Sequence, residues 1–304
     1  MSPRTDRRSV LAGLAALPLV GCGAESSPAT EIAQTPVALE EIELGDLESE
    51  GGRLGFAAHD LASGRRLVWR AQERFVYCST FKAYLAAAAL LRVQAGEERL
   101  DRAIPITAAD MISHAPVTEP AVGSSLTVEQ LMKATVEVSD NPAANLLLKA
   151  LGGLGAMQQF YRSIGDQTTR VDRFEPEMNR LDGDKDTIQP LQSAANLHRL
   201  FVDPATPLSA ESKGLLLRWM TDSPTGAARI KAGVPAGWTV AHKTGTGGYG
   251  PTNDIGVLYP PSGEPVIVAA YHHGARSASD AANEAAIAEA VRRALTAFGR
   301  GATA

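Results

Sequence analysis

Apolar and polar positions divide the chain into short strand-like runs, a block with helical spacing, and a second set of strands. Leu54 to Asp60 and Leu67 to Arg70 are apolar-rich runs around Ser63-Gly64, the composition of a hairpin. Ser79 to Gln94 follows with strong helix formers at Ala83, Leu85, Ala86 to Ala89, Leu90 and Leu91, and a stop at Gly96. Its apolarity all round predicts a helix buried on most sides. Leu126 to Val138 and Pro142 to Leu151 are further predicted helices, the second with Pro142 in its first turn and Gly152-Gly153 after its end. Residues 166 to 190 are polar and charged without a period, which predicts a long functional loop. Gln192 to Phe201 and Ala210 to Met220 return to helix. Three strands are then predicted at Trp238 to Thr244, Asp254 to Tyr259 and Val266 to Tyr271, with Pro260-Pro261-Ser262-Gly263 as the last turn. In the closing helix Ile287, Val291, Leu295 and Phe298 fall on one stripe.

Strands, a helical block, strands and a final helix predict an α/β fold of the α+β type. The expected body spans residues 41–299: an antiparallel sheet flanked by helices, from about 41–75 and 221–299, and an all-α part over about 76–220. A cleft between the two parts is the natural place for a site.

The N-terminal residues stand apart from this body. Arg4, Arg7 and Arg8 precede an apolar run from Val10 to Val20, too short for a bilayer span, which needs roughly twenty apolar residues. Arg7-Arg8-Ser9-Val10-Leu11 resembles a twin-arginine export signal. Leu19-Val20-Gly21-Cys22 resembles a lipobox, in which Cys22 is diacylated and becomes the new N-terminus; the alternative is a plain secretory signal cut near Gly21 or Ala24. Residues 1–21 are thus expected as a signal peptide and 22–40, rich in Ser, Pro, Ala and Thr, as a tether. The mature chain is expected outside the cytoplasmic membrane, touching it through lipid only. The sole other cysteine is Cys78, so no structural disulfide is expected. A formal charge of −5 with mixed signs leaves no nucleic-acid footprint. The six histidines form no metal-ligand spacing, which excludes a zinc hydrolase site.

Three short motifs could carry chemistry. Ser79-Thr80-Phe81-Lys82 places a hydroxyl and an amine three apart at a helix start, where they share a face. A buried lysine loses proton affinity and can serve as base, while the helix N-terminus offers N–H groups to an oxyanion. Ser139-Asp140-Asn141 lies between two predicted helices, and Lys243-Thr244-Gly245 ends a predicted strand. Alone, each is equally a helix cap, a capped turn or a strand edge with a protective lysine.

Together, in this order and in these contexts, they resemble the signature of class A β-lactamases and penicillin-binding proteins. A fourth stretch, Arg173-Phe174-Glu175-Pro176-Glu177-Met178-Asn179, resembles the omega-loop signature of class A β-lactamases, which penicillin-binding proteins lack. The resemblance covers roughly residues 40 to 299. It implies a β-lactam opened by Ser79, with no cofactor, in a monomer, and an acyl-enzyme cleared by water held by Glu175 and Asn179. By the same resemblance Ser139 relays a proton to the leaving nitrogen and Asn141 bonds the side-chain amide of the antibiotic. Lys243, Thr244, Gly245 and Thr246 bind the substrate, the lysine and threonines through its carboxylate. Arg229 matches an alternative arginine for that anion, and His114 stands where an aromatic gatekeeper is common. The oxyanion hole falls to the backbone N–H groups of Ser79 and Thr246. Asn145 and an Arg173–Asp186 pair are implied as structural. The base for acylation is Lys82 or Glu175. Cys78 precedes Ser79 as in a carbapenem-hydrolysing subgroup, but Gly247 or Gly248 stands where its second cysteine would be. The alternatives are a D,D-peptidase acting on peptidoglycan stem peptides and a non-catalytic surface lipoprotein.

Overall fold

The computed structural model describes residues 38–48, 50–248, 250–274 and 280–301. The expected signal peptide, the Cys22 lipidation site and the tether up to residue 37 lie outside the described residues. The chain opens with β1 (Leu39–Glu41), β2 (Arg53–Asp60) and β3 (Arg66–Trp69), then the two-residue β4 (Phe75–Val76). The hairpin expected around Ser63-Gly64 is β2–β3, paired from Phe56↔Trp69 to His59↔Arg66. A 3-10 turn at Cys78–Thr80 leads into α1 (Phe81–Gln94), whose residues from Phe81 through Leu90 are all buried.

The helical block continues through β5 (Ala103–Pro105), β6 (Ser125–Thr127), α2 (Val128–Glu137), α3 (Asn141–Leu151) and α4 (Leu154–Ser163). The helix expected from Leu126 begins two residues later. Leu126 instead pairs with Ile104, and Thr127 caps α2 by exchanging hydrogen bonds with Gln130. Gly152 is left-handed at φ 113° and ends α3 as expected, but α4 directly behind it was not anticipated. The long loop runs to β7 (Thr187–Ile188), which pairs with β4. Then come α5 (Pro190–Phe201), α6 (Ala210–Asp222) and the short α7 (Ile230–Gly233).

The C-terminal strands are β8 (Thr239–Thr246), β9 (Pro251–Tyr259) and β10 (Val266–His273), followed by α8 (Asp280–Ala297). The sheet order is β1-β3-β2-β10-β9-β8, so both ends of the chain complete one sheet, as expected. It is not wholly antiparallel: β1 runs parallel to β3 along its outer edge. The expected tether therefore ends two residues early, because Leu39 and Glu40 pair with Arg66 and Leu67.

Alternation along the strands builds two cores. Leu54, Phe56, Ala58, Val268 and Ala270 face α8 and its Ile287, Val291 and Leu295. Ala57, Val68, Ile267, Ala269 and Tyr271 face the other way, into a core shared with α1, α3 and α5. α5 lies within the stretch expected to be all-α, yet it packs on the sheet, over β2, β9 and β10. Among the described residues no helix is long and apolar enough to cross a membrane.

Candidate active site

The segment leading to Ser79 is fixed from two sides. β4 is zipped to β7, and Asn253 on β9 donates its side-chain N–H groups to the carbonyls of Val76 at 2.9 Å and Tyr77 at 3.2 Å. Cys78 is then held left-handed at φ 48°, a conformation that costs a non-glycine residue energy and turns the chain sharply into the 3-10 turn. Its thiol is fully buried, and burial pushes its pKa up, so it is inert. Ser79 emerges from this turn with 9 % of its surface exposed.

One turn further on, the Lys82 amine is completely buried. It donates to the Ser139 carbonyl at 2.8 Å, the Ser139 Oγ at 3.2 Å and the Asn141 Oδ1 at 2.5 Å. It also pairs with Glu175 Oε1 at 3.1 Å, both side chains being wholly inaccessible. Burial lowers the Lys82 pKa, and the neighbouring Glu175 carboxylate opposes that shift. The helical spacing suggested direct contact between this amine and the Ser79 hydroxyl. Its hydrogen bonds go elsewhere, and it is Glu175 Oε1 that accepts from Ser79 Oγ, at 3.4 Å. Ser139 reaches the amine because it is left-handed, at φ 60°. Between Ser139 and Asn141, the buried Asp140 is indeed a cap: it accepts from the N–H groups of Ala143, Val117 and Thr118, each at 2.9 Å.

Glu175 is delivered by the long loop, and two clamps set its position. Asn145 on α3 brackets the Glu175 peptide, donating to its carbonyl at 2.9 Å and accepting from its N–H at 3.0 Å. Asp186, fully buried, accepts from Arg173 Nε at 2.5 Å, from the N–H groups of Asp172 and Arg173 at 2.8 and 3.0 Å, and from the Tyr77 hydroxyl at 3.2 Å. The expected Arg173–Asp186 pair is thus present and closes the loop. The Asn179 side-chain N–H donates to Glu175 Oε2, while its Oδ1 is buried with no partner among the described residues.

β8 forms the opposite wall. A Cβ on Gly245 would lie 2.8 Å from the Tyr77 carbonyl, 3.0 Å from Thr80 N and 3.1 Å from Ser79 N. Only glycine lets the strand pass this close to the turn that carries Ser79. Lys243 is fully buried; desolvation and the Lys82 charge lower its pKa strongly, and its amine donates to the Thr244 carbonyl at 2.9 Å. Thr246 Oγ1 accepts from Arg229 at 2.9 Å, and Arg229 also pairs with Glu284 at 3.0 Å. Beneath them His242 and Asp254 form a buried pair at 2.9 Å, and Asp254 accepts from the Ile230 N–H at 3.2 Å.

A cleft of about 270 Å³ results, lined by Ser79, His114, Ser139, Asn141, Asn179, Thr225, Gly226, Arg229, Thr244 and Thr246. Lys82, Glu175 and Lys243 sit just behind this lining. His114 is exposed at the rim, where it donates through Nε2 to the Val138 carbonyl at 2.8 Å. Thr225 and Gly226 were not anticipated: Thr225 shares a 2.9 Å hydrogen bond with Thr244, and a Cβ on Gly226 would meet the Thr244 methyl at 2.4 Å. Their signal was the Ser223-Pro224-Thr225-Gly226 turn composition alone.

The profile of the beta-lactamase enzyme family matches residues 38–298. The chain belongs to that family, among its class A serine enzymes. It is 40% identical to β-lactamase FAR-1 of Nocardia farcinica over 97% of this chain and 96% of that one. It is 37% identical to β-lactamase Toho-1 of Escherichia coli over 89% of this chain and 91% of that one. An ancestral class A β-lactamase structure superposes with a TM-score of 0.80 at 48% identity, covering 84% of this chain and 98% of that chain. The α+β class A fold inferred from the motifs is the observed one. In this class A β-lactamase, every side chain singled out between Ser79 and Thr246 lies in the cleft, behind its lining, or in the contacts that hold the loop and strand beside it.

Asp186→Ala tests the loop closure. It strips four donors of their acceptor and leaves the Arg173 guanidinium with only the exposed Asp182 at 3.7 Å and the Arg180 carbonyl, so urea unfolding should show a loss of roughly 3 kcal/mol; a change under 1 kcal/mol would contradict this account.

Proposed function

We propose that this class A β-lactamase opens penicillin- and cephalosporin-type rings through a Ser79 acyl-enzyme, and so confers resistance to those antibiotics. The observation that carries this reading is the triangle of Ser79 Oγ, Glu175 Oε1 and Lys82 Nζ, with contacts of 3.4 and 3.1 Å. Glu175 takes the serine proton as the oxygen attacks the lactam carbonyl. The backbone N–H groups of Ser79 and Thr246 face the developing oxyanion; one such donor is typically worth about a hundred- to a thousand-fold in rate. Lys82 passes a proton to Ser139, and Ser139 gives its own to the leaving nitrogen. Glu175 then returns its proton to Lys82, so the serine proton has in effect reached the nitrogen.

Deacylation uses the same carboxylate. Glu175 and the unpartnered Asn179 Oδ1 are two acceptors beside the ester, suited to hold and deprotonate a water. Thr244, Thr246, Lys243 and Arg229 supply hydroxyls and positive charge for the substrate carboxylate, Gly245 lets that strand approach, Asn141 bonds the side-chain amide, and His114 shapes the rim. A D,D-peptidase needs no buried carboxylate beside the ester, which disfavours it here. We further propose a monomer exported by the Arg7-Arg8 signal and anchored through a lipid on Cys22, carrying 22–38 as its tether and a catalytic body that begins with β1 at Leu39.

Ser79→Ala should abolish turnover of a chromogenic cephalosporin, whereas Glu175→Ala should acylate and stall, adding the mass of one substrate. Wild-type turnover by Glu175→Ala would overturn the deacylation mechanism. In Glu175→Gln the base left beside Ser79 is the Lys82 amine, without the carboxylate that favoured its charged form. Stopped-flow acylation of that variant should rise with pH through one ionisation below the ordinary lysine value of 10.5; a flat profile would remove Lys82 from that role. Mass spectrometry of the mature N-terminus should find a diacylated Cys22, and an unmodified residue there would refute the anchor.

A further inference from the structure

A second cavity shares no lining residue with the cleft. The β2–β3 register sets Ala57 opposite Val68 and His59 opposite Arg66. Side chains alternate across a strand, so these four project to one face, the face that meets α5. α5 brings Leu191, Ala194 and His198 to the same space at helical spacing. The cavity, about 100 Å³, therefore has two kinds of wall. Ala57, Val68, Leu191 and Ala194 are apolar, whereas His59, Arg66 and His198 are basic. The imidazoles stand 5.5 Å apart, centroid to centroid. Neighbouring arginines are paired, Arg65 with Glu40 and Arg300 with Asp60. The half-buried Arg66 side chain has no ion pair or hydrogen bond among the described residues.

We propose that this cavity binds a small aliphatic monocarboxylate, its alkyl end among Val68, Leu191 and Ala194 and its carboxylate on Arg66, with His59 and His198 as further donors. The guanidinium fork matches a carboxylate in plane and spacing. A metal cation is disfavoured by the Arg66 charge, and an inorganic anion would leave the apolar floor unused. Since about 10–15 Å³ of such space holds one water, the volume suits a chain of a few carbons.

The site also has a predictable pH response. Burial, Arg66 and His198 hold His59 down at about 4, against a smaller opposing effect of Asp60; burial and Arg66 lower His198, while Asp203 raises it. A bound carboxylate favours imidazolium at both, so affinity rises as pH falls toward the free imidazole values, which lie below the ordinary 6.5.

Titration of the full chain with butyrate, followed by NMR of the histidine ring protons, tests this. Saturable shifts are expected at two histidines, assigned through His59→Gln and His198→Gln, with none from butylamine. Arg66→Gln should weaken binding about tenfold. Ala194→Leu should abolish it by filling the floor without altering charge, and neither variant should change penicillin turnover. If Ala194→Leu does not fold, Arg66→Gln decides alone. Unmoved His59 and His198 signals, equal response to butyrate and butylamine, or butyrate acting only as a competitive inhibitor at the cleft would each overturn the proposal.

Discussion

The structure turns on one ion pair sealed from water. Lys82 and Glu175 come from different parts of the chain, meet at 3.1 Å and expose nothing. Two buried charges are tolerable only when paired and hydrogen-bonded. Here the amine has three further acceptors, and the carboxylate has Asn179 and the Ser79 hydroxyl. Burial is what makes the pair chemically useful, because it lowers the proton affinity of the Lys82 amine directly beside a carboxylate.

Holding that pair requires three pieces of chain to meet without slack. The loop is fixed through Asn145 and Asp186, the turn that carries Ser79 through Asn253 and β7, and β8 comes close because position 245 has no side chain. Left-handed residues at Cys78 and Asp186 mark bends in the Ser79 turn and the loop, and Ser139 is left-handed in the segment between α2 and α3. Backbone strain of this kind survives only when the surroundings overdetermine it.

Much of this was legible in the chain itself. The α1 helix, the β2–β3 hairpin and the C-terminal strands announced themselves through propensity and turn composition, and the spacing of Ser79 and Lys82 placed both in one site. Sequence spacing did not reveal that the Lys82 amine would turn to Ser139 and Asn141, because that choice is made by acceptors brought from another loop. β1, β4 and β7 are two or three residues long and carry no period of their own; pairing with distant strands defines them. α4 was hidden behind Gly152-Gly153, whose helix-stopping signal was real but local. Thr225 and Gly226 enter the cleft only through contact with Thr244. Asp140 shows two readings holding in one motif: the central residue caps a helix while its neighbours face the cleft.

The carboxylate of Asp186 is shared by Arg173 in the loop and by Tyr77, two residues before Ser79, and its own carbonyl accepts from the Tyr77 N–H at 3.1 Å. The loop and the turn that carries Ser79 are therefore held by one shared set of hydrogen bonds. Relaxing the loop to admit a bulkier antibiotic would loosen the serine at the same time. In this architecture the width of the cleft and the placing of Ser79 draw on a single anchor.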